Sequence, residues 1–409
     1  MAGKPGGQRA ERGAERGAER GAERGAERGA ERDTGQHSVP GPGPGPGPGP
    51  GPGPVPVPGQ GAGRDAGGGV LQRVLAAGNL AVTAEIGPPR GASTAPVTRK
   101  AALLRDWVHA VNITDNASAN ARLAGWACSL AAIGAGVEPI MQLTCRDRNR
   151  IALQSELLAA AAVGIPSVLI MTGDHPRHGD HPDAKPVFDL DSAQLLRAAR
   201  TMRDEGRLMS GRELKPSPSW LLGAVTDPSG PPDVAAGRLA GKVEAGAQFV
   251  QTQYVFDVPA FARWMQRVAD LGLLERCHIL AGVGPVLSQR ALHRLADVPG
   301  VHIPAAVADR LLAAGGSPEE FRAAGEQVCA ETIAGLVQIP GVAGLHIMAP
   351  GDEGTIPGIL RQAGLRPRRP AGPAETGGSG PGETGPGETA QGKTARGWAG
   401  GLAGGRDAD

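Results

Sequence analysis

Residues 167–192 read SVLIMTGDHPRHGDHPDAKPVFDLDS, and this stretch decides the fold. It opens with Ser167-Val168-Leu169-Ile170-Met171, an apolar, β-branched run with the length of a buried strand. The run breaks at Thr172-Gly173-Asp174 into a loop rich in aspartate that carries His175, His178, His181 and Lys185. Asp191-Ser192 then offers an N-cap ahead of the helical run that starts at Ala193. A buried strand, a long polar loop and a helix make the unit with which α/β enzymes present chemistry at a strand's C-terminal end. Taken by itself, the loop also reads as an ordinary solvated surface segment.

The same unit recurs on both sides. Short β-type runs lie at 81–85, 110–114, 139–143, 168–171, 220–225, 249–253, 278–283 and 344–348. Helical patterns separate them at 99–104, 119–132, 149–162, 192–204, 234–245 and 259–270, with a longer multi-helix stretch over 288–337. Strands alternating with helices in this way predict a (β/α)8 TIM barrel in one block, residues 70–366. A doubly wound open sheet is the rival. It is disfavoured because Glu85-Ile86-Gly87-Pro88-Pro89-Arg90-Gly91, the turn after the first strand, lacks the Gly-x-Gly-x-x-Gly pattern.

Composition sets the block apart from its flanks. Residues 10–32 repeat Ala-Glu-Arg-Gly with a glycine in every unit and no apolar face, and 40–58 is an almost strict Gly-Pro alternation. Such segments bury too little apolar surface to offset the entropy of ordering them, so 1–69 and 367–409 are expected to be disordered tails. Lys and Arg total 42 against 41 Asp and Glu, which gives no global field for nucleic acid or an anionic membrane. No apolar run has the length of a membrane span, and the first residues lack the apolar core of a secretory signal. Cys128, Cys145, Cys277 and Cys329 lie far apart, as reduced thiols of a cytoplasmic protein would.

In a barrel, polar residues at the C-terminal strand ends converge on one mouth. Here those ends carry Glu85, Thr114-Asp115-Asn116, Gln142-Leu143-Thr144-Cys145-Arg146, and Gly173-Asp174. Gln251 and Gln253 stand two apart on one face of the sixth run, with Asp257 at the start of the next helix. Glu85 alone also reads as a rim carboxylate, and Gln253 alone as a satisfied core amide. Arg238 and Lys242, four apart, share one face of the helix before the sixth run. The spacing of His175, His178 and His181 raises a metal-dependent aldolase, but Pro176 and Gly179 break any helix that would align them.

Ala84-Glu85 with the following Pro-Pro, Leu143-Thr144-Cys145, Gly173-Asp174, Lys242 to Ala247, and Thr252-Gln253 with Phe256-Asp257 resemble, in order and spacing, the methylenetetrahydrofolate reductase family. The long loop from Gly173 resembles the version in many bacterial members. The resemblance implies a flavin barrel that holds FAD and reduces 5,10-methylenetetrahydrofolate to 5-methyltetrahydrofolate. NAD(P)H or a partner reductase would supply the electrons. By position it makes Glu85 the general acid, Asp174 the charge beside flavin and pterin, and Gln253 the pterin-binding amide. Thr114, Gln142 and Gly173 fall beside the flavin, Phe188 covers it, and Arg238 with Lys242 holds its diphosphate. The chain departs from the family pattern at Gln142, where relatives have histidine, at Val225, where some have tyrosine, and at Gln289, where a stacking phenylalanine can sit. Those departures keep a second reading in view, a folate-binding or partner-docking barrel without turnover. NADH against NADPH stays open, and a homo-oligomer is compatible with the sequence.

Overall fold

The computed structural model describes residues 68–368. The expected tails at 1–69 and 367–409 lie almost wholly outside them. Eight parallel strands close into a barrel in sequence order. They are β1 (Ala81–Ile86), β2 (Ala110–Ile113), β3 (Glu138–Thr144), β4 (Ser167–Met171), β5 (Leu221–Thr226), β6 (Phe249–Tyr254), β7 (His278–Val283) and β8 (Val342–Ile347). Closure comes from β1 pairing with β8, with Ala81 opposite Gly344 and Ala84 opposite Ile347. The open-sheet alternative is thereby excluded.

Around the barrel run α2 (Ala95–Leu104), α3 (Gly125–Gly134), α4 (Arg150–Ala162), α5 (Ser192–Asp204), α6 (Pro232–Ala245) and α7 (Val258–Asp270). After β7 come α8 (Gln289–Ala296), α9 (Ala305–Ala313) and α10 (Pro318–Leu336), and after β8 comes α11 (Ile356–Gln362). The N-cap expected before α5 is Asp191, whose side chain accepts from Gln194 N while the Gln194 side chain accepts from Asp191 N. This reciprocal capping box satisfies two donors that helix geometry leaves without partners. The helix expected at 119–132 starts later, at Gly125. Ser118 and Ala119 hold left-handed backbone (φ 53° and 57°), which cannot continue into a right-handed helix.

Strand alternation sorts side chains into two environments. Val82, Ala84 and Ile86 of β1 point outward into the core shared with the helices, while Ala81 points into the barrel. At the bottom, Ala81, Ala110, Ile140, Leu169, Leu221, Phe249 and Leu280 form a dry layer. A helix not foreseen from sequence, α1 (Val70–Ala76), plugs this end with Leu71 and Leu75. The spacing of four puts both leucines on one helix face. The first-turn amides of Val70 and Leu71 donate to the Glu138 carboxylate at the start of β3, which ties the plug to the barrel.

Above the dry layer the interior turns polar. Asn112 and Gln251 exchange side-chain hydrogen bonds of 2.6 and 3.0 Å across the barrel. Gln251 Nε2 also donates to Thr83 Oγ1 at 3.2 Å, and Thr83 Oγ1 lies 3.0 Å from His346 Nδ1. All four residues are buried, and their polar atoms satisfy one another, as a buried polar layer requires. This layer is the floor of the mouth.

Candidate active site at the barrel mouth

Glu85 stands directly above that floor, two residues beyond Thr83 on the inward face of β1. Its side chain is 22% exposed, and one carboxyl oxygen lies 4.0 Å from His346 Nε2. Burial pushes this carboxyl from an ordinary value of 4.5 up to about 7; the Gln142 amide works against the rise and the negative charge of Glu353 adds to it. Glu353 is itself buried and paired with Lys100 of α2 at 2.6 Å. The result is a carboxylic acid that holds its proton close to neutral pH. His346 is held neutral, its pKa lowered to about 3 by burial.

Thr114, just past β2, and Gln142, near the end of β3, stand at the same level, both buried. Thr114 Oγ1 has no hydrogen-bond partner within the protein. A buried hydroxyl without a partner costs on the order of 1–3 kcal/mol, so it is poised to bond a ligand. Around it the loops are locked together by arginine. The Asp115 carboxylate accepts from Thr144 N and Oγ1, both at 2.9 Å, and from both terminal nitrogens of Arg148 at 2.8 and 3.0 Å. Replacing Asp115 by Ala removes the two-pronged partner of Arg148, leaving it Glu156 at 3.9 Å, and is expected to lower stability by about 3 kcal/mol in a urea titration.

Arg146, 2% exposed, was only one residue of a charged run in the sequence, yet it organises the loops after β2, β3 and β4. Its guanidinium donates to both Asp147 oxygens, to the Asn116 carbonyl and to the Asp174 carbonyl. Asp174 is therefore anchored through its backbone and leaves its carboxylate exposed. Gly173 before it has φ +86°, and a Cβ there would meet Thr144 Cβ at 2.9 Å. Only glycine suits both conditions. Phe188 also adopts positive φ (40°), is half-buried, and sits 6.4 Å from the His175 ring. His175 caps the short turn that starts at Pro176, whereas His178 and His181 are exposed. No group of three or more metal-ligating side chains is gathered among the described residues.

On the other side of the mouth, Arg238 and Lys242 lie side by side on α6, as their spacing predicts. Arg238 donates to the carbonyls of Asp227 and Ser229, and Lys242 to that of Val225, all at the C-terminal end of β5. Neither makes an ion pair with a carboxylate among the described residues. Burial, and Arg238 beside it, hold the Lys242 ammonium below its usual range. Two adjacent cations without acidic partners form a site that an anion would stabilise. Gln253 is half-buried at a β-bulge of β6; its amide accepts from Tyr254 N at 3.0 Å and donates to Pro299 O at 3.3 Å. A cavity of about 180 Å³ lies beyond it, between the β5–α6 and β6–α7 loops, with Tyr254, Phe256 and Trp264 in its wall. None of Glu85, Thr114, Gln142 or Asp174 lines that cavity, so it is separate from the acid.

The structure thus brings Glu85, Thr114 and Gln142 to one mouth, with Asp174 and Gln253 on its rim and the cationic pair at the β5 edge. Besides Arg146, sequence reasoning passed over Asn112, Thr83, His346, Lys100 and Glu353. The only signal of Thr83, Asn112, His346 and Glu353 was polarity inside or after β-type runs, and Lys100 is a single charge in a helical pattern.

A parallel (β/α)8 barrel with an enclosed, protonatable carboxyl at its mouth defines an acid-equipped α/β barrel. The chain belongs to the methylenetetrahydrofolate reductase family, whose family model matches residues 70–364. It is 24% identical over 235 residues to a probable methylenetetrahydrofolate reductase (NADPH) of Caenorhabditis elegans, covering 56% of this chain and 33% of that protein. It is 23% identical over 232 residues to the 5,10-methylenetetrahydrofolate reductase of Pectobacterium carotovorum, covering 57% of this chain and 72% of that protein. The chain spans about a third of the length of the eukaryotic relatives it matches. In fold it is similar, at TM-score 0.50 and 13% identity, to an uncharacterized Clostridium thermocellum protein that binds two copies of 5-methyl-5,6,7,8-tetrahydrofolic acid. That likeness covers 72% of this chain and 97% of the other. No helix among the described residues is long and apolar enough to cross a membrane.

Proposed function

We propose that this barrel reduces 5,10-methylenetetrahydrofolate to 5-methyltetrahydrofolate in a flavin-dependent reaction, as a bacterial-type FAD enzyme of its family. The observation that carries the reading is Glu85, a carboxyl enclosed at the barrel mouth that keeps its proton near neutrality. FAD, when bound, supplies the hydride. The unpaired Thr114 hydroxyl, the Gly173 turn and the two cations without acidic partners fit such a group. In this reading Thr114, Gln142, Gly173 and Phe188 would hold the flavin ring, and Arg238 and Lys242 would hold its diphosphate.

Glu85 gives its proton to the folate nitrogen that leaves as the five-membered ring opens, and its near-neutral pKa keeps that proton available. Asp174, exposed on its arginine-fixed backbone, places a negative charge where the folate becomes cationic. Gln253 exchanges its contacts with Tyr254 N and Pro299 O for the pterin edge, to which an amide offers both a donor and an acceptor. NAD(P)H or a protein partner is the electron source.

An absorbance spectrum of the purified protein, followed by anaerobic addition of NADH and then NADPH, tests this. A flavin spectrum bleached by either nucleotide and restored by methylenetetrahydrofolate is expected. Flavin reduced by neither nucleotide would move the electron source to a protein, and no flavin after reconstitution with FAD would end the proposal. Replacing both Arg238 and Lys242 by Ala is expected to weaken FAD binding at least tenfold, since two charge-assisted contacts are lost. Fluorescence titration of the apoprotein measures it.

A further inference from the structure

The polar layer beneath Glu85 does more than fill the barrel. Thr83 Oγ1 has one hydrogen and three polar neighbours: the Leu345 carbonyl at 3.2 Å, Gln251 Nε2 at 3.2 Å and His346 Nδ1 at 3.0 Å. A carbonyl only accepts and an amide nitrogen only donates. The Thr83 hydrogen has two acceptors in reach, Leu345 O and His346 Nδ1; placed on Leu345 O, it leaves the Thr83 lone pairs for Gln251 and for a proton on His346 Nδ1. Gln251 is held in that orientation by its two hydrogen bonds with Asn112. A neutral imidazole with its proton on Nδ1 has a bare lone pair on Nε2, and Nε2 is the atom 4.0 Å from the Glu85 carboxyl.

We propose that His346 is a positioning residue for the Glu85 proton: fixed as the Nδ1–H tautomer by Thr83, it offers Nε2 as an acceptor to the protonated acid and gives the carboxylate no donor. The 4.0 Å gap closes with a small turn of the Glu85 side chain, as catalytic contacts commonly tighten when substrate binds. A hydrogen bond to the neutral form favours that form. The other ionisable groups facing Glu85 are Glu353, with its partner Lys100, and Tyr254 of β6. Glu353 acts in the same direction as His346, and Tyr254, pushed above its usual range, stays neutral.

This inference rests on the role proposed for Glu85, and the experiment separates the two. In the FAD-loaded enzyme, the pH dependence of flavin reoxidation by methylenetetrahydrofolate is measured for the native protein, His346→Phe and His346→Gln. The Phe variant keeps a ring but loses the acceptor, and its midpoint is expected to fall by about one pH unit, a tenfold loss of proton affinity. Its flavin reduction by nicotinamide should be unchanged. The Gln variant retains an acceptor and should return the native midpoint. Nitrogen NMR of the His346 ring is expected to show a protonated Nδ1 and a bare Nε2, and Thr83→Val to remove that preference. An unmoved midpoint in His346→Phe, equal slowing of both half-reactions, or a proton on Nε2 would overturn the proposal. If His346→Phe does not fold, the ring spectra of native and Thr83→Val proteins decide it. Native-speed folate reduction by Glu85→Gln would instead remove the acid role, whatever the tautomer.

Discussion

A Glu85→Gln protein loaded with FAD is expected to accept electrons as the native protein does, yet to reduce methylenetetrahydrofolate 10²–10⁴-fold more slowly, about the share a positioned general acid supplies. Stopped-flow measurement of the two half-reactions separates the effects. Glutamine keeps the size and hydrogen-bonding shape of the side chain and removes only the transferable proton. In the native protein the folate step should decline as pH rises through about 7, the value at which Glu85 loses that proton. Stability follows the same group. The unfolded chain releases this proton near 4.5 and the folded chain near 7, so between those values the unfolded state binds fewer protons and stability falls as pH rises. Gln has nothing to ionise, so the variant should be the more stable of the two at pH 8, by on the order of 1–3 kcal/mol. Equal urea midpoints there would show that the carboxyl is solvated after all.

The second large effect lies at the opposite end of the barrel. Phe249→Ala is expected to cost about 3–5 kcal/mol, the range for removing a fully buried aromatic side chain from a packed core. Phe249 is wholly buried, and Gly223 on the neighbouring strand makes room for its ring: a Cβ at 223 would sit 2.3 Å from the ring's far carbon. The ring is the largest side chain of the dry layer under Gln251. A cavity there would let the polar layer settle, and the folate half-reaction should suffer beyond what the stability loss explains. A urea titration together with the rate at low denaturant distinguishes the two contributions. Loss below 1 kcal/mol would mean that the bottom layer repacks freely.

The strands were legible because their residues are β-branched and apolar in runs of strand length, and because the eight of them recur with helical patterns between. Arg238 and Lys242 were legible for a similar reason, since spacing on a helix is a local property. The start of α3 was not, because its delay depends on left-handed backbone at Ser118 and Ala119 that no side-chain pattern announces. The α1 plug was missed because seven residues beside a glycine run carry little periodicity, and its stability comes from Glu138 far along the chain. The polar layer is the sharpest case. Thr83, Asn112, Gln251 and His346 come from four strands; only Gln251 stood out in its own run, by its spacing from Gln253, and the four acquire a joint meaning only when closure of the barrel sets them face to face.

The plug at the bottom has a practical consequence. The described chain enters at α1, beneath the dry layer, and it ends near Arg368, whose backbone and side chain donate to the carbonyls of Asp106 and Val108 just ahead of β2. Both points lie on the face away from Glu85. A label, affinity handle or surface tether joined directly at Gly68 or at Arg368 would therefore be attached to the closed end. A barrel immobilised that way presents its open end to the solution, the orientation in which ligand access can be compared between variants without the attachment intervening.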